Sequence, residues 1–219
     1  LGYFATTGLT EIDYLLADAM SVPDSDRGLF TESIWHLPKT RLCFTVPDPA
    51  PDVASPPSAI NGFITFGSFQ TLRKLNDEVL ATWAEVLNGD ERCRMRVQNA
   101  ELSTAAGRAA FGQRAAQAGI APSRLDLHGV ESRGQYLQQY AEVDILLDSF
   151  PFPGGTTTCE GLWMGVPTVT LQGSNLVGRQ GACLMAAAGL SDWIAGSRAD
   201  YLALARRKAA DVVALSELR

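Results

Sequence analysis

Histidine is scarce in this sequence of 219 residues, and its cysteines form no recognisable pairs. The two histidines, His36 and His128, complete no metal-ligand pattern with the four widely spaced cysteines. This absence predicts that the protein uses no metal ion. It also predicts free thiols, which are typical of a reducing cytoplasm, at Cys43, Cys93, Cys159 and Cys183.

Positive charge and long apolar runs are lacking as well. The chain has 18 Lys and Arg residues against 24 Asp and Glu, for a net charge of −6. It therefore offers no general basic field that could displace counterions from a nucleic acid. No apolar run approaches the length that a membrane span requires. These absences exclude a general nucleic-acid binder and a membrane protein, and leave an ordinary globular protein.

A proline-rich stretch at residues 47–57, with five prolines, predicts a linker. We expect residues 1–58 to be the end of an N-terminal domain plus this linker, with strands at residues 12–18 and 41–46. Residues 59–219 form the second predicted domain. Because the sequence lacks an initiator Met, we expect it to be part of a longer chain whose upstream and final segments are missing.

Strand-like and helix-like segments alternate after the linker. Strands are predicted at residues 62–68, 93–98, 125–129, 143–148 and 167–173. The helices between them include one capped by Asn76 and one from about Thr104 to Ala118, with others at residues 134–141, after the GGTTT run and at the end of the chain. Short connections between such elements predict an α/β domain with a Rossmann-like parallel sheet covered on both faces.

The run GGTTT lies where a predicted strand ends and a helix begins. Gly154 and Gly155 allow close backbone approach, and Thr156 and Thr157 bring N–H groups and hydroxyls to a helix start, where anions bind. Glu160 follows one helical turn later and could accept hydrogen bonds from a ribose. On spacing alone, a tight turn followed by ordinary capping threonines remains the commoner explanation.

Three stretches, taken together, carry a family resemblance. ITFGSFQTLRKLN, VDILLDSFPFPGGTTTCEGLWMGVPTVTLQG and GRQGACLMAAAGLSDWIA follow one another in this order. The sequence resembles the catalytic region of the O-GlcNAc transferase family, specifically its bacterial, TPR-linked, SPINDLY-like members. The resemblance implies a GT-B fold, in which two Rossmann-like domains hold a nucleotide-sugar between them. It also implies inverting transfer of GlcNAc from UDP-GlcNAc to Ser and Thr hydroxyls of proteins, with TPR repeats upstream.

The resemblance also implies roles for individual residues. Lys74 matches the family lysine that contacts the diphosphate and stabilises the leaving nucleotide, as an ammonium can do without a metal. Thr156 and Thr157 match the threonines at the diphosphate, next to Gly154 and Gly155.

Other matches concern the nucleoside and the acceptor side. Glu160 takes the place of an acidic residue at the ribose, and Arg133 falls near a basic residue of the base-binding loop. Thr71 stands where a Gln or Asn is common, although Gln70 could substitute for it. Gly8 belongs to a loop that approaches the sugar and acceptor.

Some positions depart from the family pattern. Tyr136 stands where a His commonly stacks on the base, and Phe4-Ala5 replaces an expected Pro-Gly. Neither His36 nor His128 matches the proposed catalytic histidines. Two alternatives therefore stay open: an inactive module that binds a nucleotide-sugar, and a transferase that uses GDP-fucose or UDP-glucose. A GT-B epimerase would fit the fold but not the GGTTT stretch.

Overall fold

The computed structural model describes residues 5–130 and 132–219. Phe4, one of the two residues that replace the Pro-Gly of the family pattern, therefore lies outside the described residues. The first part of the chain forms a two-stranded parallel sheet of β1 (Tyr14–Ala17) and β2 (Ser33–His36). A 3-10 helix, Asp24–Leu29, connects the two strands. The strand predicted near residues 12–18 is thereby confirmed.

The predicted strand at residues 41–46 is wrong, because this stretch is irregular. Its first N–H groups bond to side chains instead of a neighbouring strand: Arg41 N donates to Asp18 Oδ2 at 3.1 Å, and Leu42 N donates to Thr40 Oγ1 at 3.2 Å. The partner of β1 is β2, a strand that we did not predict.

Six parallel strands form the main sheet, in the spatial order β5-β4-β3-β6-β7-β8. Five of them lie where the sequence predicts strands, whereas β8, with two residues, was not predicted. The bounds are β3 (Thr65–Ser68), β4 (Arg94–Gln98), β5 (Leu125–His128), β6 (Ile145–Leu147), β7 (Thr168–Leu171) and β8 (Ile194–Ala195). This is the strand order of a doubly wound Rossmann-like sheet.

Helices connect these strands, as the alternating pattern predicts. Asn76 caps α2 by accepting from Val79 N at 2.9 Å, and Thr104 caps α3 by accepting from Gly107 N at 3.0 Å. The bounds are α1 (Ser58–Asn61), α2 (Asp77–Leu87), α3 (Ala105–Gln117), α4 (Arg133–Gln138), α5 (Thr156–Trp163), α6 (Gln180–Ala187), α7 (Arg198–Ala210) and α8 (Val212–Leu218).

The sheet is buried on both faces. Ile145 and Leu147 belong to the large core that includes Trp83 of α2. Leu146, which points to the opposite side of the strand, packs in a second cluster with Leu137 of α4. In the part of the chain that the structure describes, no helix combines the length and apolar character needed to cross a membrane.

Candidate functional site

The sheet order fixes where a ligand can bind. β3 and β6 are hydrogen-bonded neighbours, but the chain continues from β3 to one side of the sheet and from β6 to the other. The C-terminal ends of two such strands leave a crevice between the diverging connections, and this is the usual ligand site of an open α/β sheet. Gln70 and Lys74 follow β3 at this crevice, and Asp148 and the GGTTT run follow β6.

Asp148 organises the loop that follows β6. Its carboxylate is 1% exposed and accepts from Gly154 N at 2.7 Å, Ser149 N at 3.0 Å and Thr170 Oγ1 at 2.8 Å. Burial raises the pKa of Asp148 to about 6, against the opposing effects of these hydrogen bonds and of Lys74. The loop therefore folds back around a buried carboxylate and delivers Gly154 to the start of α5.

Gly154 and Gly155 lie where side chains do not fit. A Cβ on Gly154 would come within 2.3 Å of Gln70 Nε2 and 2.4 Å of Thr158 Oγ1. A Cβ on Gly155 would come within 2.7 Å of Gln180 Nε2. The two glycines thus let the loop lie directly against the residues that surround the helix start.

The start of α5 presents unused hydrogen-bond donors. The first N–H groups of a helix have no partner within it, and the first intrahelical bond here runs from Cys159 N to Gly155 O at 3.0 Å. Thr156 is exposed and Thr157 is half-buried at this end. Within the described residues, the buried Thr158 Oγ1 has no hydrogen-bond partner. Such an end favours an anion.

Lys74 lies against the same loop. Its Nζ donates to Pro153 O at 2.9 Å and to Gln70 Oε1 at 3.4 Å, and it lies 3.9 Å from the centre of the Phe152 ring. Burial lowers the pKa of Lys74, and Asp148 opposes that effect. Lys74 and the exposed Thr71 also line a cavity of about 320 Å³ beside this loop.

Glu160, Arg133 and Tyr136 are brought together as the sequence suggests. Glu160 is 2% exposed and forms an ion pair with Arg133. Tyr136 Oη donates to Glu160 Oε2 at 3.0 Å, and Tyr140 Oη donates to the same oxygen at 3.3 Å. The Glu160 carboxylate is therefore held by protein donors in this structure, rather than being open to solvent.

A larger cavity, of about 510 Å³, opens beside Tyr136. The Tyr136 ring is half-buried and packs edge-to-face on Phe69, with 5.5 Å between ring centres. The polar residues lining the cavity are able to hydrogen-bond to an aromatic base: Gln98, Arg108, His128, Gln135, Gln138 and Gln139.

Gly8 lies in a loop of the N-terminal part of the chain. Its N donates to Thr6 Oγ1 at 3.1 Å, and the neighbouring Thr7 N donates to Glu32 Oε1 at 2.6 Å. Gly8 is exposed, and its φ of +69° suits glycine. Among the described residues, the bonds of this loop run to Thr31 and Glu32.

The two histidines have ordinary partners. His36 Nε2 lies 2.8 Å from Val22 O, and His128 Nε2 lies 2.6 Å from Asp126 Oδ1. Across residues 5–130 and 132–219, no three His, Cys, Asp or Glu side chains are grouped to hold a metal ion. Independence from metal stays a prediction.

Sequence reasoning did not assign site roles to Asp148 and Tyr140. Asp148 was visible as the carboxylate that closes the apolar strand directly before the loop, and this is the signal that could have identified it. Tyr140 had no such signal, because its stacking on Phe69, at 3.9 Å between ring centres, depends on the tertiary fold.

Comparisons with known proteins identify relatives. The model of Glycosyl transferase family 41 matches residues 57–219. The chain is 39% identical over 220 residues to a probable UDP-N-acetylglucosamine–peptide N-acetylglucosaminyltransferase SPINDLY of Oryza sativa subsp. japonica, covering 100% of this chain and 24% of that protein. It is 30% identical over 203 residues to the probable enzyme SEC of Arabidopsis thaliana, named for the same activity, covering 87% of this chain and 20% of that protein.

A solved structure agrees with these relatives. An O-GlcNAc transferase mutant of Thermobaculum terrenum superposes with a TM-score of 0.91 at 32% identity, over 100% of this chain and 41% of that one. The chain thus spans about a quarter of the length of the SPINDLY proteins it matches. The predicted GT-B class and the resemblance to the O-GlcNAc transferase family are confirmed. Because the family model covers most of its residues, this chain belongs to glycosyltransferase family 41.

Proposed function

We propose that the protein is an inverting glycosyltransferase that transfers GlcNAc from UDP-GlcNAc to Ser and Thr hydroxyls of proteins. This chain supplies the half that holds the donor. The observation that carries the proposal is the placement of Lys74 against Pro153, just before the start of α5. This contact lies at the crevice between the ends of β3 and β6, which is the switch point of the sheet. The names of the relatives, which are transferases from UDP-N-acetylglucosamine to peptides, supply the sugar and the acceptor class.

The chemical step requires that negative charge be stabilised. The bond between the anomeric carbon and the β-phosphate oxygen breaks, the acceptor oxygen bonds to that carbon from the opposite face, and the hydroxyl proton leaves. UDP departs with added negative charge. The Lys74 ammonium and the N–H groups of Thr156 and Thr157 meet that charge in a partly buried site, where such contacts are strongest. We assign the proton acceptor to no residue of this chain.

The nucleoside occupies the region around Tyr136 in this proposal. The base stacks on the Tyr136 ring within the cavity of about 510 Å³. Glu160 accepts from the ribose hydroxyls, which take the place of one of its present donors. Arg133 neutralises Glu160 and keeps the carboxylate oriented.

The remaining parts of the proposal concern the whole protein. It acts on protein acceptors, carries TPR repeats upstream, comes from a bacterium and works in the cytoplasm. The loop at Gly8 faces the sugar and the acceptor. Free thiols at Cys43, Cys93, Cys159 and Cys183 fit a reducing compartment.

The test is sugar transfer by the full-length protein that contains this chain, because the chain alone is not expected to be fully active, and by its Lys74→Met variant, with labelled UDP-GlcNAc and peptide acceptors. The proposal predicts that Lys74→Met lowers kcat by about 10²- to 10³-fold, as when one contact to a developing anion is removed. Lys208→Met is the matched control, because Lys208 pairs with Asp192 on another part of the surface. It should retain full activity.

Near wild-type transfer by Lys74→Met would contradict the leaving-group role. Parallel reactions with GDP-fucose and UDP-glucose decide the donor, and transfer from either of these alone would replace GlcNAc in the proposal. Donor binding without transfer to any acceptor would instead identify an inactive nucleotide-sugar-binding module.

A further inference from the structure

Asp148 is a buried carboxylate that forming a turn after β6 does not by itself require. It is 1% exposed, and a buried charge is costly unless other groups compensate it. Besides its backbone and Thr170 partners, its Oδ1 accepts from Gln70 Nε2 at 3.3 Å. The residue sits at the end of β6, next to the strand that precedes Lys74. Its position therefore links the two connections that diverge at the switch point.

Gln70 bridges Asp148 and Lys74. This side chain is 6% exposed, and its amide donates to Asp148 on one side while its Oε1 accepts from Lys74 Nζ at 3.4 Å on the other. Its Nε2 lies only 2.3 Å from the position that an ideal Cβ of residue 154 would occupy, so a side chain there would displace Gln70. A primary amide is suited to this place, because it presents a donor to a carboxylate and an acceptor to an ammonium.

The loop at residues 149–154 gives Asp148 a second connection to Lys74. Asp148 fixes both ends of this loop through Ser149 N and Gly154 N, and Ser149 Oγ donates to Phe152 O at 2.8 Å. Lys74 Nζ then donates to the loop at Pro153 O. The direction in which Lys74 points thus depends on a loop shape that Asp148 maintains.

The charges of the two residues act on each other. Burial lowers the pKa of Lys74, and the Asp148 charge opposes this effect. Among the described residues, the titratable groups that interact with Asp148 are Lys74, from the 3-10 turn after β3, and Tyr201 of α7, whose hydroxyl donates to the main-chain O of Asp148 at 3.0 Å. Lys74 is the cation of this set, so each charge favours the charged form of the other.

We propose that Asp148 is a positioning residue of the donor site, whose buried carboxylate holds the Lys74 ammonium charged and in place through Gln70 and the loop at residues 149–154. The meaning of this arrangement for a diphosphate rests on the proposed function. The electrostatic coupling between Asp148 and Lys74 is present in the chain without a bound nucleotide.

The coupling is measured by the titration of Lys74. The chain has only three lysines, Lys39, Lys74 and Lys208, so reductive methylation with ¹³C-formaldehyde gives a simple NMR spectrum in which each ammonium can be followed with pH. In Asp148→Asn, which keeps the shape of the side chain, the midpoint of Lys74 should fall, because the charge that opposes the effect of burial is removed. The midpoints of Lys39 and Lys208 should not move.

Asp144→Asn is the matched control. Asp144 is also a buried aspartate of this strand region and accepts from backbone N–H groups, Ser58 N at 3.0 Å and Thr65 N at 2.8 Å, but it precedes β6 instead of following it. A purely structural role of a buried aspartate would disturb the protein equally in both variants. An unmoved Lys74 midpoint in folded Asp148→Asn, or an equal shift in Asp144→Asn, would overturn the proposal.

A reciprocal measurement covers the case in which Asp148→Asn does not fold. In the wild-type chain the Asp148 carboxyl should titrate near pH 6, well separated from ordinary aspartates, and ¹³C NMR can follow it. In Lys74→Met the pKa of Asp148 should rise above its wild-type value, because coupling between two charges is mutual. The same Asp148 midpoint in wild type and in Lys74→Met would overturn the proposal.

A nucleotide titration separates this inference from the proposed function. Both NMR titrations are made without nucleotide, so their outcome does not depend on whether the chain binds UDP. UDP affinity of Asp148→Asn, measured by calorimetry, should fall about tenfold while that of Asp144→Asn stays constant. Coupled titrations in a chain that binds no UDP would support the positioning of Lys74 and contradict the proposed function. Equal UDP affinity with an unmoved Lys74 would contradict the inference and leave the function standing.

Discussion

Gly154 ends the loop at residues 149–154, which we call the donor loop, and it lies where a side chain does not fit. In Gly154→Ala the new methyl group would meet Gln70 Nε2 and Thr158 Oγ1, both well inside contact distance. We expect the free energy of unfolding to fall by about 1–3 kcal/mol, as in other overpacked sites, and UDP affinity to fall as Gln70 is displaced. Chemical denaturation and calorimetry measure the two effects.

Gly112→Ala provides the control for that substitution. Gly112 lies inside α3, and apart from its own helix backbone and chain neighbours the only described atom within 4 Å of its ideal Cβ is Leu127 Cδ1, at 4.0 Å. This variant should be more stable than wild type by about 0.5–1 kcal/mol, because alanine favours a helix. Equal stability of the two variants would contradict the packing argument at Gly154.

Glu32 makes the stability of the N-terminal part depend on pH. Hydrogen bonds, first from the Thr7 side chain and then from Thr6, lower the pKa of Glu32 to about 2 from 4.5. A carboxyl with a lowered pKa stabilises the folded state above its unfolded pKa, and this contribution is lost as pH falls toward the folded pKa. The Tm difference between wild type and Glu32→Gln should therefore shrink as pH falls from 4.5 to 2.

Thermal unfolding at several pH values measures that difference. Glu217→Gln, at an exposed position of α8, controls for the removal of one carboxylate from the chain. A Tm difference for Glu32→Gln that stays constant down to pH 2 would show that Thr6 and Thr7 do not stabilise the ionised form.

At the scale of elements, the N-cap residue of α2, Asn76, both stabilises the helix and contacts the donor loop. Asn76 accepts from Val79 N at 2.9 Å, and its Nδ2 also donates to Phe150 O at 3.0 Å in the donor loop. Asn76→Ala should reduce the free energy of unfolding by about 1–2 kcal/mol. It should also weaken UDP binding, because the loop loses an anchor.

Ser197→Ala separates these two effects. Ser197 caps α7 by accepting from Asp200 N at 3.1 Å, and its side chain makes no described bond to the donor loop. Its loss should cost about 1 kcal/mol of stability and leave UDP affinity constant. Equal affinity losses in both variants would mean that the loop anchor at Phe150 is not what binding requires.

Elements could be predicted from the sequence where a local pattern determines them. The strands after the linker were predicted because they are short apolar runs with turn residues between them, and the helix starts because Asn76 and Thr104 are cap residues. β2 was missed because SIWH has only two apolar residues, between Ser33 and His36, and so forms no apolar run. Residues 41–46 are apolar but pair with no strand, and a sequence does not state which of two apolar runs will pair with β1.

The site residues could be predicted where each belongs to a local sequence pattern, but the contacts between distant residues could not. GGTTT, Glu160 and Lys74 were predicted as site residues because they follow strand ends or match motifs, and their roles stay predictions. The link from Lys74 through Gln70 to Asp148 was not found, because Gln70 and Asp148 are 78 positions apart. The ion pair that occupies Glu160 was also missed, since Arg133 reaches it from another element.

At the scale of the whole molecule, the N-terminal part is fastened to the main domain near the donor site. Arg179 pairs with Asp26 at 2.6 Å, and Arg41 donates to Gln180 Oε1 at 3.1 Å. Gln180 in turn packs against Gly155. Contacts between the two parts of the chain therefore end beside Gly155, at the start of α5.

The net negative charge of the chain does not favour binding of the proposed nucleotide ligand, which is also negatively charged. The chain carries a net charge of −6, and UDP is also an anion. The net charge of this chain therefore provides no long-range attraction for the proposed donor, so binding would depend on local groups, above all Lys74 and the start of α5.

The most direct test is calorimetric titration of the chain with UDP, GDP and inorganic phosphate, using wild type and the double variant Thr156→Ala/Thr157→Ala. We expect saturable binding of UDP in preference to GDP, and loss of that binding in a folded double variant. Preference for GDP would change the donor but keep the site. A folded wild-type chain that binds neither nucleotide, or a double variant that binds UDP as tightly as wild type, would contradict the donor site at the start of α5.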